Sequence, residues 1–551
     1  MICHRESRIG PEAFPIYLCE IKWHVTSVPK AVFFSRNFKF NEQAGSMANH
    51  LFDNLFGIHD GKETPFLHLQ SGGIINHAEF LAMSARYARA MVKKGLKPGD
   101  RVAAQVRKSP QKLALYAACV QSGMVFLPLN TAYTIDELKY FIANSGASLI
   151  VCDSASDIMS TGIPGNANAD IETLDADGGG TLSELTEGMP ADFQAIDRAP
   201  DDLAALLYTS GTTGRSKGAM LTHDNLLSNA IALAGEWRFT ADDVLLHALP
   251  IFHTHGLFVA TNIVLATGGS MIFMPGFDLD QIIDRIPQAT SMMGVPTFYT
   301  RLLGDSRFTA ELTSHMRLFV SGSAPLLADT HIRFEKRTGH RILERYGMTE
   351  TNMNTSNPHD GERRPGTVGF PLPGVELKIT DPDTGEELPR GEAGQIEVRG
   401  PNVFKGYWGM PEKTAAELQA SGYFITGDIG LFDADGYLHI IGRGKDLIIS
   451  GGYNIYPKEI ELLLDSQEGV LESAVIGVPH PDYGETVLGI VVPEEHIRPE
   501  ICKISEELKK TLASFKHPRR LIIVDRLPRN AMGKVQKNML RDQYRGFFDS
   551  T

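Results

Sequence analysis

Tyr208-Thr209-Ser210-Gly211-Thr212-Thr213-Gly214-Arg215-Ser216-Lys217-Gly218 is the stretch of this chain best equipped for chemistry. Its glycines can take left-handed backbone angles and turn successive N–H groups into one concavity. Thr209, Ser210, Thr212, Thr213 and Ser216 add hydroxyl donors, while Arg215 and Lys217 add positive charge. Such an array suits a polyphosphate, above all the triphosphate of a nucleotide. It is not the G-x-x-x-x-G-K-[ST] loop of common nucleoside triphosphatases, because Lys217 is followed by Gly218. The bland alternative is a flexible Gly/Ser/Thr linker. Against it, an apolar run over 203–208 and a helical pattern from Asn225 place the loop between a strand and a helix.

Four later segments carry further functional groups: Tyr346-Gly347-Met348-Thr349-Glu350, Tyr423-Phe424-Ile425-Thr426-Gly427-Asp428, Gly442-Arg443-Gly444-Lys445-Asp446 and Asn530-Ala531-Met532-Gly533-Lys534-Val535-Gln536-Lys537. A carboxylate such as Asp428 has two oxygens with which to meet a vicinal diol. A hard divalent ion needs oxygen ligands and commonly takes one or two carboxylates beside phosphates and water, which suits Glu350. With the loop at 208–218, and in this order, these segments resemble the signature motifs of the adenylate-forming superfamily. That superfamily comprises acyl-CoA synthetases, luciferases and the adenylation domains of peptide synthetases. The resemblance covers roughly residues 47–545.

The resemblance implies a two-step reaction, in which ATP converts an acid to an acyl-adenylate and coenzyme A then takes the acyl group. Such a site brings two anions together, so it needs positive charge and preorganised donors. Thr209, Ser210, Gly211, Thr212, Thr213, Gly214 and Lys217 are then expected at the phosphates. Gly322, Ser323, Ala324 and Tyr346 are expected at the adenine, Asp428 and Arg443 at the ribose, and Glu344 and Gly347 among the remaining cofactor-binding residues. Glu350, after Thr349, is expected to hold Mg2+. Lys534 is the expected catalytic lysine, bridging the attacking carboxylate and the α-phosphate. Lys445 is the expected hinge, and Ser450, Gly451 and Gly452 the wall of a pantetheine tunnel. No carrier-protein serine segment is present, so free coenzyme A is the expected acceptor. Acetylation of Lys534 would remove its charge, making a lysine acetyltransferase a candidate regulatory partner.

The acid pocket falls to 250–256, containing His253 and Thr254, and to 294–301, ending in Arg301. Pro296 suits the first turn of a helix, which sets Arg301 about one turn in. An arginine facing the pocket needs an anion, because an unpaired buried charge is costly. A second carboxylate on the substrate would supply it; equally, Arg301 could face solvent and pair with Asp305. These segments, with 130–133 and 351–354, resemble malonyl-CoA synthetases. That implies malonate as the acid, Arg301 as its anchor, His253 as an aid to the carboxylate, and Thr254 and Met348 beside the malonate C2. Methylmalonate or a short or medium-chain monocarboxylate is the alternative.

The elements around these groups alternate. Asn76–Glu79 and Thr134–Glu137 have the form of capping boxes, opening helices that are interleaved with apolar runs at 102–106, 125–129 and 149–152. Strands alternating with helices imply parallel sheet buried on both faces. Shorter strands around 374–399 and 428–441 predict a small β-rich subdomain. The expected architecture is an α/β body with parallel sheets over 47–442, a hinge at 443–446 and a small mobile α+β lid over 447–551. Residues 1–46 are read as an N-terminal extension from an upstream start codon or, alternatively, as an organelle transit peptide.

With 551 residues, 42% of them hydrophobic and 22% charged, the composition is that of a globular protein of more than one domain. A net charge of −13 disfavours nucleic acid and anionic membranes as partners. The five cysteines contain no C-x-x-C pair and read as free thiols in a reducing compartment. The chain is therefore expected in the cytoplasm, or in the mitochondrial matrix if 1–46 is a transit peptide. The run 256–277 is free of charge but interrupted by Asn262, Gly268, Gly269 and Pro275, so it predicts a buried helix and strand rather than a membrane span.

Overall fold

The structure, a computed structural model, describes residues 49–161, 169–209, 216–450, 453–480, 483–495, 497–530 and 533–548. The predicted extension 1–46 lies outside the described residues, as do Ser210, Gly211, Thr212, Thr213, Gly214 and Arg215 of the phosphate loop and Gly451 and Gly452 of the predicted tunnel.

Among the described residues the strands form four sheets. In a six-stranded sheet, the strands Asp170–Thr173, Leu149–Cys152, Arg101–Gln105, Val125–Pro128 and Leu203–Thr209 run parallel. Lys217–Thr222 closes its edge antiparallel to Leu203–Thr209, so the phosphate loop is the connection of this edge hairpin. A nine-stranded sheet has a parallel centre made of Pro65–Leu69, Ser270–Phe273, Val244–His247, Ser291–Gly294, Leu318–Ser321 and Leu343–Met348. The expected parallel α/β body is borne out.

Several helices start where side chains cap them. Asn76 and Glu79 exchange reciprocal hydrogen bonds with each other's backbone N–H at 2.7 and 2.9 Å, and Thr134 and Glu137 do the same. Each cap satisfies donors that a helix N-terminus otherwise leaves orphaned, worth about 1 kcal/mol. Ser109 caps the helix Pro110–Gln121, whose proline occupies the first turn. That helix is buried all round, as expected between two sheets.

The uncharged run is a π-helical segment, His255–Thr261, leading into the helix Asn262–Thr267 and the strand Ser270–Phe273. No helix among the described residues is long and apolar enough to cross a membrane. Antiparallel strands Glu376–Thr380, Gly394–Arg399, Phe424–Phe432 and Leu438–Arg443 make the small β subdomain. The C-terminal domain has its own mixed sheet around the antiparallel hairpin Val470–His480 and Gly484–Pro493, with Arg520–Ile523 added parallel, backed by the helices Pro457–Asp465 and Ile501–Thr511. Its core is separate, built on Ile460, Val475, Val491, Ile504 and Leu508.

Candidate active site

Asp428 and Arg443 face each other on adjacent strands, Phe424–Phe432 and Leu438–Arg443, as Cα partners. Arg443 Nε donates to Asp428 Oδ1 at 2.9 Å, and the Tyr346 hydroxyl donates to Oδ2 at 2.5 Å. The Asp428 side chain is only 4% exposed, yet both its oxygens are held by charge or hydroxyl donors. That fixes the carboxylate in one orientation and leaves lone pairs with which to meet a diol. Tyr346 is thereby tied by its tip to the expected ribose site, with its ring at the expected adenine site.

Glu350 is buried, and burial pushes its carboxyl above the ordinary range. The Tyr407 hydroxyl lies 3.1 Å from Glu350 Oε1 and 2.7 Å from Glu417 Oε2. Lys217 Nζ, at the far side of the phosphate loop, donates to Glu417 Oε2 at 3.3 Å and stands 4.1 Å from the Tyr407 ring centroid. Sequence reading missed Tyr407 and Glu417; their contribution depends on a contact spanning 200 residues from Lys217 to Glu417. Thr209 closes the near side, its hydroxyl 3.5 Å from the Lys217 carbonyl. Thr349 is half-buried between Met348 and Glu350.

Lys534 comes from the C-terminal domain, where its N–H donates to Asn530 Oδ1 at 2.9 Å. Its side chain opens on solvent yet is deeply surrounded by protein. Burial lowers its ammonium to about 8, reinforced by Arg443 and Arg345 and opposed by Asp428 and Glu350. Lys534 therefore stands within electrostatic reach of ribose-site, metal-site and acid-site residues together. Lys445 is in the short turn Gly444–Asp446, and Asp446 accepts from Arg541 Nη2 at 2.9 Å. Ser450 ends the strand Ile448–Ser450.

On the acid side, the strand Val244–His247 delivers the chain to the 250–256 turn. His253 Nδ1 accepts from the His255 N–H at 3.3 Å. Burial, Lys534 and Arg345 together depress His253 to about 3, so it is neutral at physiological pH and acts as a hydrogen-bonding group. His255 Nδ1 lies 3.1 Å from the Ser323 hydroxyl, and Ser323 itself takes a positive φ of 70°. Thr254 is buried and its hydroxyl donates to Asn352 Oδ1 at 3.3 Å; Asn352 is the Cα partner of Met348. Gly322 and Ala324 flank Ser323, and Gly347 lies so close to Asn352 that a Cβ there would meet its carbonyl oxygen at 1.9 Å. Glu344 Oε1 lies 3.4 Å from Nδ1 of buried His331.

Arg301 lies on the helix Pro296–Gly304, as its spacing from Pro296 predicts, but on the exposed face. Its guanidinium stands 5.4 Å from the Phe277 ring centroid. Asp305 pairs with Arg307 instead. A different arginine, Arg345, is only 5% exposed beside His253 and His255, and the sequence reading passed over it.

Comparison with known proteins agrees with this geometry. Residues 59–408 match the family described as AMP-binding enzyme, and residues 459–534 match its C-terminal domain. The chain is 37% identical to a feruloyl-CoA synthase from Amycolatopsis over 86% of its own length and 94% of that protein. It is 35% identical to the malonate–CoA ligase of Arabidopsis thaliana, over 92% and 91% respectively. Among solved structures, ATP-bound MatB from Rhodopseudomonas palustris is 56% identical with a TM-score of 0.89, covering 91% of this chain and all of that one. The nucleotide-free form of MatB superposes with a TM-score of 0.79. The chain belongs to the AMP-binding enzyme family, the adenylate-forming superfamily, in its two-domain form.

Proposed function

We propose that the chain is an ATP-dependent malonate–CoA ligase that forms AMP, passing through malonyl-adenylate and transferring the malonyl group to coenzyme A. The supporting observation is the convergence of Lys534 from the C-terminal domain on Asp428, Arg443, Glu350 and Arg345 of the body. In the first step the acid carboxylate attacks the α-phosphate and pyrophosphate departs. Lys534, protonated, draws the two oxyanions together, while Asp428 holds the ribose. Lys217 and the phosphate loop take the β- and γ-phosphates, and neutral His253 orients the acid.

Magnesium suits this site as a partner of the phosphates. Among the described residues no three His, Cys, Asp or Glu side chains converge, so Glu350 would be a single protein carboxylate beside phosphate oxygens and water. The bound ion would neutralise charge on the departing pyrophosphate.

For the second step the C-terminal domain is proposed to swing at Lys445, withdrawing Lys534 and admitting pantetheine past Ser450, Gly451 and Gly452. The higher likeness to the ATP-bound MatB structure supports reading the present arrangement as the adenylating one. A cytoplasmic location and Lys534 acetylation by a lysine acetyltransferase belong to the same proposal.

A panel of acids assayed for AMP release with coenzyme A present tests the reading. Malonate should give the highest kcat/KM, with methylmalonate next. A clear preference for feruloyl-like, fatty or other monocarboxylic acids would replace malonate by the second reading, which the feruloyl-CoA synthase relative favours.

A further inference from the structure

The turn that carries Lys534 is held by its own domain on both flanks. Arg529 and Val535 pair as an isolated antiparallel bridge, the Asn530 N–H donates to the Lys534 carbonyl at 3.0 Å, and Gly533 takes a left-handed φ of 75°. Leu527, Val535 and Leu540 pack against Ala474, Ile476 and Val478 of the strand Val470–His480. Apolar contact is non-directional, so it keeps the turn on the sheet without fixing where the ammonium points. Two ion pairs supply the direction.

Both pairs end on acids of the C-terminal domain. Upstream of Lys534, Arg529 donates through one nitrogen to the Gly533 carbonyl and through another to the Glu472 carboxylate. Glu472 shares a face of its strand with Ala474 and Ile476, since alternate residues of a strand point the same way. Downstream, Lys537 opens the helix Lys537–Gln543, and its Nζ donates to Glu461 Oε1 at 2.6 Å. Glu461 is 6% exposed, and the same oxygen accepts from the Val475 N–H at 2.9 Å. Val475 belongs to the core on the other side of the sheet, so this carboxylate joins the two sides across the strand. Burying two paired charges is often no more stabilising than apolar side chains of the same volume, so stability alone does not explain the pair.

Placement matters because the body in part resists the ammonium. Arg443 and Arg345 oppose the charge on Lys534, while Asp428 and Glu350 favour it. Both guanidinia are fixed: Arg443 by its bond to Asp428, and Arg345 by burial over Gly322, where an added Cβ would meet its Cζ at 2.3 Å. Until the acid and the nucleotide bring their own oxyanions, the turn has to be held against this repulsion from its own side. We propose that Glu472 and Glu461 are positioning residues for adenylation, aiming the Lys534 ammonium at the reacting oxyanions through Arg529 and Lys537. The assignment rests on the acid–CoA ligase reading above. It concerns the first half-reaction alone, because the second is proposed to run with Lys534 withdrawn.

The test separates the half-reactions. Acid-dependent pyrophosphate exchange reports adenylation, and coenzyme A consumption with supplied malonyl-adenylate reports thioester formation. Both are measured for the wild type, Glu472→Gln, Lys537→Met, Lys537→Arg and the double variant Glu461→Leu with Lys537→Met, with melting temperatures alongside. Glu472→Gln and Lys537→Met should lose about 10- to 100-fold in the kcat of exchange, with both KM values and thioester formation within about threefold of the wild type. Lys537→Arg, which keeps the charge, should retain most of the exchange. The double variant removes both charges together, so it should melt near the wild-type temperature yet exchange as slowly as Lys537→Met. On a Lys534→Ala background the same substitutions should cost nothing further. Unimpaired exchange in Glu472→Gln and Lys537→Met would overturn the proposal. So would an equal loss in both half-reactions, a recovery of exchange in the double variant, or a loss that persists without Lys534. A wild type that exchanges with a monoacid in place of malonate would refute malonate, and the same pattern is then read with that acid and its adenylate. A wild type without acid-dependent exchange would refute both readings.

Discussion

Lys217 and Glu417 are joined at 3.3 Å at the start of the edge strand Lys217–Thr222, with the Tyr407 ring beneath the ammonium and its hydroxyl linking Glu417 to Glu350. The lysine expected at the phosphates is thus oriented before any nucleotide arrives. Preorganisation of this kind spares the binding step the ordering of a long side chain. Lys217→Ala should raise the KM for ATP by about 10- to 100-fold with a smaller effect on the acid's KM, measured in steady-state AMP release. An unchanged KM for ATP would remove Lys217 from the phosphate site.

Lys534 should impose an alkaline limit on adenylation. A lysine lowered by burial to about 8 is charged below that pH and loses its proton above it. The bridging role needs the charged form, so kcat/KM for pyrophosphate exchange should decline as pH rises through about 8, because this parameter reports the free enzyme. Lys534→Ala should cost about 10²–10³ in exchange rate below about pH 8, the loss expected for one preorganised donor, and the gap to the wild type should narrow as pH rises past it. Thioester formation from supplied malonyl-adenylate should be far less affected, since the proposed swing of the C-terminal domain withdraws the lysine from that step.

His59 and His77 stack with ring centroids 4.3 Å apart, both 1% exposed, and burial lowers each to about 4. A histidine lowered in the fold takes up its proton more readily when unfolded. Stability is therefore intact above about pH 6.5 and declines as pH falls from there toward 4. The effect approaches 3 kcal/mol for each fully shifted ring. The melting temperature should drop over that interval, and His77→Phe, which keeps an aromatic ring against Phe66, should flatten the slope. A pH-independent melting temperature between 6.5 and 4.5 would contradict this.

Gly256 sits where a Cβ would meet the Pro250 carbonyl oxygen at 2.1 Å, and its own carbonyl accepts from the Thr261 hydroxyl at 3.0 Å. Lys108 ties the same turn down by donating to the carbonyls of His247 and Leu249 at 2.8 and 2.9 Å. Gly256→Ala should destabilise the protein by about 1–3 kcal/mol, in the range of overpacked cores, and raise the KM for the acid more than that for ATP. Thermal unfolding and two-substrate kinetics would check both parts.

Much of this was legible in the sequence because it is local. Asn76 and Thr134 announce their helices through residues three positions away, and alternating apolar runs announce the parallel sheets. The residues expected at the nucleotide sit in motifs that can be read without knowing what they touch. What escaped is set by facing rather than by spacing. Arg301 lies one turn along its helix as its distance from Pro296 requires, but Tyr299, Leu302 and Leu303 take the buried face and leave it outside. Arg345 stands next to Glu344 in the strand Leu343–Met348, and only the structure shows which side of that strand it takes. Tyr407 and Glu417 had no signal of their own, since their meaning comes from Lys217 far upstream.

The seat of Arg345 on Gly322 makes positions 322 and 345 a single unit for anyone wishing to retarget the enzyme. Enlarging the first alone evicts the guanidinium, and shrinking the second alone leaves a hollow floored by bare backbone. A coordinated exchange, a small apolar group at 345 with a modest side chain at 322, would keep the volume while replacing a charged group by an oily one. Substitutions at these two positions should therefore be tolerated in pairs rather than singly.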